Sequence, residues 1–458
     1  MLVLAAGEGK RMRSSLPKML HPVCGRPMVA WPILAAREAG AGRVVAIVSP
    51  HHDLSPGLPD GVETVVQPEP DGTGGAVRAA LDAIRESETV VVLSGDHPLL
   101  SAETIGGLLA VHRDEGAAAT MLTIELDDPG SYGRVVRGDD GEFERVVEAK
   151  AGGDASAAEL AIREVNAGTY VFDAPLLAEA LGRLSSDNAQ GEYYLTDVFA
   201  LLRAGGGRVA TRPADDDGAT MGINDRAQLA EVEAEARRRI LDRHMRAGVT
   251  VVDPASTWID AGVEIAADAR VEPGTALRGA TVVGARSVVG PLSTLTDARL
   301  GEGVVVPHSY LVECEVGDEC SVGPFAYLRP GARLERGAKA GTFVEVKNST
   351  LGEGAKAPHL SYVGDADVGA RANLGAGTIT ANYDGFRKHR TTIGEDARIG
   401  VDTMLIAPVE VGDAAYTGAG AVIKGDVPDG ALAVSDNDQR NIEGYAERKA
   451  AENPEEDS

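Results

Sequence analysis

Hydrophobic and polar positions along this chain follow two regimes, and the second is the more regular. Between Trp258 and Leu295 the residues Ile259, Ile265, Val271, Leu277, Val283, Val289 and Leu295 recur every six positions, all of them branched aliphatics. With 43% of the chain apolar, seven hits at a preset phase arise by chance roughly 0.3% of the time, so the beat reflects structure. Four residues after each of the first six comes something small or β-branched: Val263, Ala269, Thr275, Thr281, Ser287, Ser293. A helix repeats about every 3.6 residues and a strand about every 2, so neither produces this beat. A triangular parallel β-coil does, with one inward aliphatic per face and small residues at the corners. The beat resumes at Val316, Val322, Leu328 and Leu334, and again at Ile393, Ile399, Leu405 and Val411. A sandwich of short strands would space its turns irregularly, about 8–12 residues apart. The pattern predicts a β-helix of hexapeptide repeats.

The N-terminal half alternates instead. Apolar runs at 1–6, 44–48 and 90–93 read as strands, and 28–39 and 73–84 read as helices. That alternation predicts a mostly parallel sheet with helices on both faces, whose ligands collect at the strand C-termini. A long polar helix over 224–248, with Leu229, Val232, Ala236, Ile240 and His244 at its end along one stripe, reads as a spacer. His244 is expected to be a solvated residue of that helix. The domain plan is 1–224, a linker helix at 225–248, the coil at 249–435 and a charged tail at 436–458.

At 458 residues the chain is too long for one ordinary core. A net charge of −26 argues against nucleic acid and anionic membrane as partners. Cys24, Cys314 and Cys320 lack metal or disulfide spacing and read as small core residues. No apolar run approaches the roughly 18 residues of a membrane span, which places the protein in the cytoplasm.

Local chemistry stands out against that acidity. After the turn Gly7-Glu8-Gly9, the segment from Lys10 to Lys18 carries four basic residues and no acidic one. Backbone N–H groups of a Gly-rich turn, with Arg11 and Lys18 added, make a phosphate cradle. It is neither a P-loop nor a dinucleotide fingerprint, because no Gly-Lys-Ser/Thr follows and Met12 occupies the third glycine position. Asp96 lies just past an expected strand end, where a carboxylate near phosphates suits Mg²⁺.

Seven segments carry a resemblance: LAAGEGKRM with LPK, QPEPDGTGGA, SGD, GRV, VVEAK, VNAGTY and NAQGEYYLTD. Their order and spacing resemble the bifunctional N-acetylglucosamine-1-phosphate uridyltransferase / glucosamine-1-phosphate N-acetyltransferase family over nearly the whole chain. The resemblance implies UMP transfer from UTP to N-acetylglucosamine 1-phosphate, with release of pyrophosphate. It implies that Leu4, Ala5, Ala6, Gly7, Gln67, Gly72 and Thr73 hold the uridine nucleotide and that Arg11 and Lys18 sit on its phosphates in a catalytic role. Gly133, Glu148 and Asn166 would bind the sugar, and Asp96 with Asn224 would hold Mg²⁺. Such chemistry needs positioning and charge neutralisation more than covalent help. Two departures appear. Many relatives carry Tyr at the position of Ser94, and they have several residues before LAAG, which predicts a native start upstream of Met1.

A quiet solenoid should keep its beat, so polar residues that break it are informative. Breaks concentrate between Arg329 and Arg390, where LRPG, FVEVKNS, APHLSYVGDA and NLGAGTITANYDG stand. His359 stands among them with Tyr362, read as lying on the same strand face. Glu345, Lys347, Asn373, Asn382 and Tyr383 fall at nearby points on successive coils. Imidazole is the side chain best suited to act as a neutral base near neutral pH. By the same resemblance His359 matches the general base of acetyl transfer from acetyl-CoA. Arg329 and Lys347 match sugar-phosphate ligands, Tyr362, Asn373 and Asn382 sugar contacts, and Glu345 an orienting group. Ala376, Asn382, Tyr383, Val401, Ala419 and Lys388 fall where acetyl-CoA is expected, and homotrimers are implied. Here too the chain departs: Val401 replaces a common Ser, and SDNDQR puts Asp436 where relatives often carry Arg. Arg440 is therefore expected to take over the coenzyme A phosphates.

The fold class expected is α/β + β: a Rossmann-like nucleotidyltransferase domain, a long linker helix and a left-handed parallel β-helix of hexapeptide repeats. The function expected is synthesis of UDP-N-acetylglucosamine from glucosamine 1-phosphate, acetyl-CoA and UTP with Mg²⁺. The alternative is a single-activity nucleotidyltransferase whose β-helix is inert. A non-catalytic assembly subunit would have lost LAAG, Lys18 or Asp96, and none is lost.

Overall fold

The computed structural model describes residues 1–149, 155–188, 190–216, 218, 221–435 and 441–452. They divide into two compact units: Met1–Arg243 with Ile259–Gly262, and His244–Trp258 with the chain from Val263 onward. The first unit is built on a mixed sheet. Strands β1 (Leu2–Leu4), β2 (Val45–Val48), β3 (Glu63–Val66) and β4 (Thr89–Ser94) run parallel in the order β3-β2-β1-β4. Beyond β4 the sheet continues through β8 (Glu164–Asp173), β5 (Ala119–Glu125) and β9 (Val209–Pro213). The hairpin β6 (Arg134–Arg137) and β7 (Phe143–Val147) hangs off β8. Strand β8 runs antiparallel to both β4 and β5, so the sheet is parallel only in part.

Helices α1 (Ala30–Glu38), α2 (Thr73–Ala79), α3 (Leu81–Arg85) and α4 (Ala102–Asp114) follow the strands as the alternation predicts. The pattern read as one helix over 73–84 is two, broken at Ala80. Helices α5 (Ala157–Leu160), α6 (Ala174–Leu181) and α7 (Asp197–Ala204) come next, and Phe199 packs on Phe143, Tyr170 and Phe172 in the core. Helix α8 (Arg226–Arg246) buries Val232, Ala236, Ile240 and Leu241. His244 is not solvated: it is buried, because it falls one turn beyond Ile240 on the same apolar stripe. No helix among the described residues is long and apolar enough to cross a membrane. The three cysteines are free and buried.

The second unit is a left-handed parallel β-helix. Strands of two to four residues stack into three parallel sheets that begin at Thr250–Val251, Trp258–Ile259 and Glu264–Ile265. Six of the first seven hexad aliphatics are buried, Ile265 in the first coil being half-exposed, and so are all eight of the resumed beat. Thr275, Thr281, Ser287 and Ser293 are fully buried as well, and their hydroxyls donate to backbone carbonyls, as Ser293 Oγ does to Val306 O at 2.7 Å. Small size lets these residues turn inward at a corner, and the hydroxyl satisfies a carbonyl there. Leu277 has no exposed surface. Leu277→Ala is expected to cost about 2–5 kcal/mol of unfolding free energy through lost burial and the cavity left behind. Urea titration of that variant measures it, and a loss below about 1 kcal/mol would mean that the coil collapses into the gap.

Candidate active sites

Strand register builds the first site. Leu4 lies opposite Ser94 in the β1–β4 pair, so the LAAG turn and the SGD turn leave the sheet side by side. Val48 pairs with Val66, which brings Gln67 to the same edge, at the C-terminal ends of the strands. A pocket of about 310 Å³ opens there, lined among others by Leu4, Ala6, Gly7, Lys18, Gln67, Gly72, Thr73, Ser94 and Asp96. Ala5 is buried beneath it and donates its N–H to Ile47 O at 2.8 Å. Gln67 donates from Nε2 to Asp71 Oδ1 (2.9 Å) and to Gly72 O (3.1 Å), and Thr73 Oγ1 accepts from Leu195 N at 3.1 Å. Gly72 has φ 99, and a Cβ there would meet Tyr193 O at 2.6 Å, so only glycine closes this turn. Glu192 also lines the pocket; it lies within the NAQGEYYLTD segment, but nothing local marks it out, because its neighbours in space are far away in the chain.

Charge converges at the pocket floor. Lys18, buried, donates from Nζ to Asp96 Oδ2 at 2.5 Å and to Asn224 Oδ1 at 3.4 Å. Arg11, which is exposed, donates to the same Asn224 oxygen at 2.8 Å. Backbone also ties the two segments, since Ile223 N donates to Asp96 O at 3.1 Å. Burial disfavours the Asp96 charge, but its neighbours His97 and Lys18 hold its pKa below the ordinary value. His97 is itself buried, and burial lowers its pKa in turn. Two hard oxygens already facing one ammonium suit a small divalent cation, with further ligands drawn from phosphates and water. Among the described residues no group of three His, Cys, Asp or Glu side chains gathers to hold a metal, so any such ion would lean on substrate oxygens.

Gly133, Glu148 and Asn166 come together beside this floor. A Cβ on Gly133 would lie 3.7 Å from Glu148 Oε1 and 3.8 Å from Asn166 Cβ. Asn166 donates from Nδ2 to Tyr170 OH (2.7 Å) and accepts from Gly168 N (2.9 Å). Ser94 Oγ then donates to Gly168 O at 3.2 Å, so the hydroxyl that replaces a ring links this trio to the pocket.

The second site lies on the coil. His359 ends one strand (Lys356–His359) and Tyr362 begins the next (Tyr362–Gly364), with Leu360 at φ 50 between them. They are not on one strand face as the spacing suggested: a corner of the prism separates them. Backbone bonds run up that corner from Gly377 N to His359 O, from Asp402 N to Ala376 O and from Gly420 N to Val401 O. His359, Ala376, Val401 and Ala419 therefore form a column, one coil apart, about 4.8 Å per step. His359 and Val401 are exposed on the single chain. Around the corner, Arg329 donates to Glu345 at 2.8 Å and Lys347 pairs with Asp365 at 3.3 Å. Asn373 lies on the sheet of the His359 strand, in register with Lys356, and the corner separates it from Tyr362 and Lys347. Lys347 also lies against Lys388, and that like charge lowers the pKa of Lys388. Tyr383 is exposed in the loop that follows Asn382. Arg440 and Asp436, with Lys150 and Ala189 of the quoted motifs, lie outside the described residues.

Asp365 is the residue that reading the sequence missed. It is buried, and its carboxylate accepts from Lys347 Nζ, from Asn348 Nδ2 (2.6 Å) and from Asn382 Nδ2 (2.5 Å). Asn382 Nδ2 in turn lies 3.4 Å from Tyr362 OH. Burial opposes the Asp365 charge, yet the two amides and Lys347 keep its pKa below the ordinary value. The ordering it provides is thus present above the ordinary aspartate range and is lost only as pH falls through the lowered value. Asp365→Ala is expected to raise the KM of a reaction run at this site roughly ten-fold or more, since charge-assisted bonds carry about 1.5–3 kcal/mol. Steady-state kinetics test this, and an unchanged KM would show that Lys347 and Asn382 hold themselves in place.

Comparison with known proteins adds the following. A family model described as MobA-like NTP transferase domain matches residues 1–193. The bifunctional protein GlmU of Kineococcus radiotolerans is 50% identical over 99% of this chain and 93% of its own length. That of Mycobacterium tuberculosis is 49% identical over the same shares, and that of Streptomyces avermitilis 50% identical over 98% and 94%.

Proposed function

We infer two reactions from one premise: the chain belongs to the family of bifunctional GlmU proteins. It acetylates glucosamine 1-phosphate with acetyl-CoA and then transfers UMP from UTP to N-acetylglucosamine 1-phosphate, making UDP-N-acetylglucosamine and pyrophosphate. The observation that carries the double assignment is the polar set of Lys347, Tyr362, Asp365 and Asn382, which an inert coil would have no cause to keep around one buried carboxylate.

In the first unit, the turns at Leu4–Gly7 and Gln67–Thr73 hold the nucleotide, and Gly133, Glu148 and Asn166 the sugar. Arg11 and Lys18 neutralise the phosphates during in-line displacement. Asp96 and Asn224 would hold Mg²⁺, which supplies further neutralisation of phosphate charge when bound. On the coil, His359 takes the proton from the attacking amine, and Arg329 and Lys347 hold the sugar phosphate, with Lys388 beside them. Tyr362, Asn373 and Asn382 orient the ring, and Glu345 keeps Arg329 in place. Acetyl-CoA runs along the column of Ala376, Val401 and Ala419, past Asn382 and Tyr383.

The working form is a cytoplasmic homotrimer. Support comes from the corner that continues the His359 column, where Phe325, Phe343 and Leu360 stand more than half exposed and the two rings stack at 5.4 Å. Burying such a stripe, and His359 with it, is what an assembly of coils would do. Sedimentation velocity is expected to give three copies, and a monomer at working concentration would remove that part. One coupled assay tests the whole. Glucosamine 1-phosphate, acetyl-CoA, UTP and Mg²⁺ should yield free coenzyme A and pyrophosphate, with pyrophosphate release dependent on acetylation. Pyrophosphate release only when N-acetylglucosamine 1-phosphate is supplied, with no coenzyme A formed, would favour the single-activity alternative.

A further inference from the structure

We propose that the first unit carries a second ligand site, between α1, α8 and the start of α4, for a small organic anion with one phosphate or carboxylate on an apolar body. A pocket of about 360 Å³ lies there, and it shares no lining residue with the pocket above Lys18. Its aromatic wall is Trp31, and the Arg26 guanidinium sits 4.7 Å over that ring. Arg243 enters from α8, and Leu34, Leu99 and Ile240 provide apolar surface.

The two arginines carry the inference. Neither forms an ion pair or a side-chain hydrogen bond among the described residues, although the chain has 70 acidic residues to offer. Their neighbour Arg239 is fully engaged, with Glu235, Asp216 and Leu99 O. Burial and the charge of Arg243 both lower the pKa of Arg26, so the pair is electrostatically unfavourable as it stands. An anion between them relieves that repulsion, and a guanidinium is the group best shaped to grip a phosphate or carboxylate. Glu38 and Glu103 also line the pocket, which disfavours a polyanion such as a nucleoside triphosphate and leaves a singly headed acid. Trp31 and the aliphatic wall then take the body of the ligand. The occupant would lie against Pro98 and Leu99, two and three residues past Asp96, and so against the loop that leaves the catalytic floor.

The chain has two tryptophans, Trp31 and Trp258, which makes the site readable. In a Trp258→Phe variant Trp31 is the sole indole. Titration with phenyl phosphate is expected to change its emission saturably, with phenol and inorganic phosphate each binding at least ten-fold more weakly. Arg26→Gln with Arg243→Gln should weaken phenyl phosphate at least ten-fold while uridylyl transfer without the probe persists. Arg243 is exposed, so Arg243→Glu alone tests the same charge without disturbing packing, and it should also weaken the probe. No saturable change in Trp31 emission would overturn the proposal. So would equal affinity in the arginine variants, because the signal would then come from the catalytic pocket.

Discussion

Replacing Asp96 with alanine is expected to lower uridylyl transfer by roughly three orders of magnitude or more, while acetyl transfer stays near wild type. The reason is local. Asp96 is the carboxylate among the oxygens gathered on Lys18, at 2.5 Å, and Asn224 is a neutral amide at 3.4 Å. Removing it takes away the negative charge that would hold a divalent ion against the substrate phosphates. It also leaves a buried ammonium without its partner, which costs stability of about 3–5 kcal/mol and must be separated from the chemistry. Asp96→Asn makes that separation, because it keeps the shape and hydrogen-bonding oxygen but not the charge. Near-native thermal unfolding with lost pyrophosphate release would assign the defect to charge. Mg²⁺-dependent pyrophosphate release retained by both variants would sink the metal assignment. Acetyl transfer is a separate readout here because His359 and its neighbours belong to the other compact unit.

His359→Ala carries the second large effect: acetyl transfer should fall by roughly 10²–10⁴-fold, with uridylyl transfer intact. Within the single chain the imidazole is exposed at a corner, and the backbone carbonyl of His359 accepts from Gly377 N and Ser361 Oγ, so the coil's own packing does not rest on the ring, and sedimentation of the variant checks its assembly. A loss of acetyl transfer would therefore report chemistry rather than collapse. The kcat should fall with little change in the KM for glucosamine 1-phosphate, because Arg329 and Lys347 are untouched. Partial recovery on adding free imidazole would strengthen the assignment. Undiminished acetyl transfer at neutral pH would show that another group takes the proton.

These two effects also mark how far the chain could be read without coordinates. Asp96 and His359 were legible because each sits in a short segment whose chemistry is local: SGD past a strand end, and a polar break in an aliphatic beat. Their partners were less so. Asn224 reaches Lys18 across 206 positions, and it entered only through resemblance. Asp365 went unread even though SYVGDA contains it, because an aspartate in a turn is ordinary until three donors are seen to converge on it. His244 falls on the stripe of its helix, yet it reads as solvated, because the end of a polar helix does not show how far the packed face extends.

What the sequence determined by itself was the coil and the alternation before it. A six-residue beat of aliphatics leaves a short parallel face as the one way to bury every beat, and that preference acts within a single coil. The need for glycine at position 72 belongs to the other side, since φ 99 and the approach of Tyr193 O, 121 positions away, exclude a side chain there. Tertiary structure alone decided register. Which residues stack on His359, which strand end faces Asp96 and where Tyr362 points depend on how many residues each coil or crossover inserts. A shift of one position would move every side chain to another face while leaving the hydrophobic pattern almost as good.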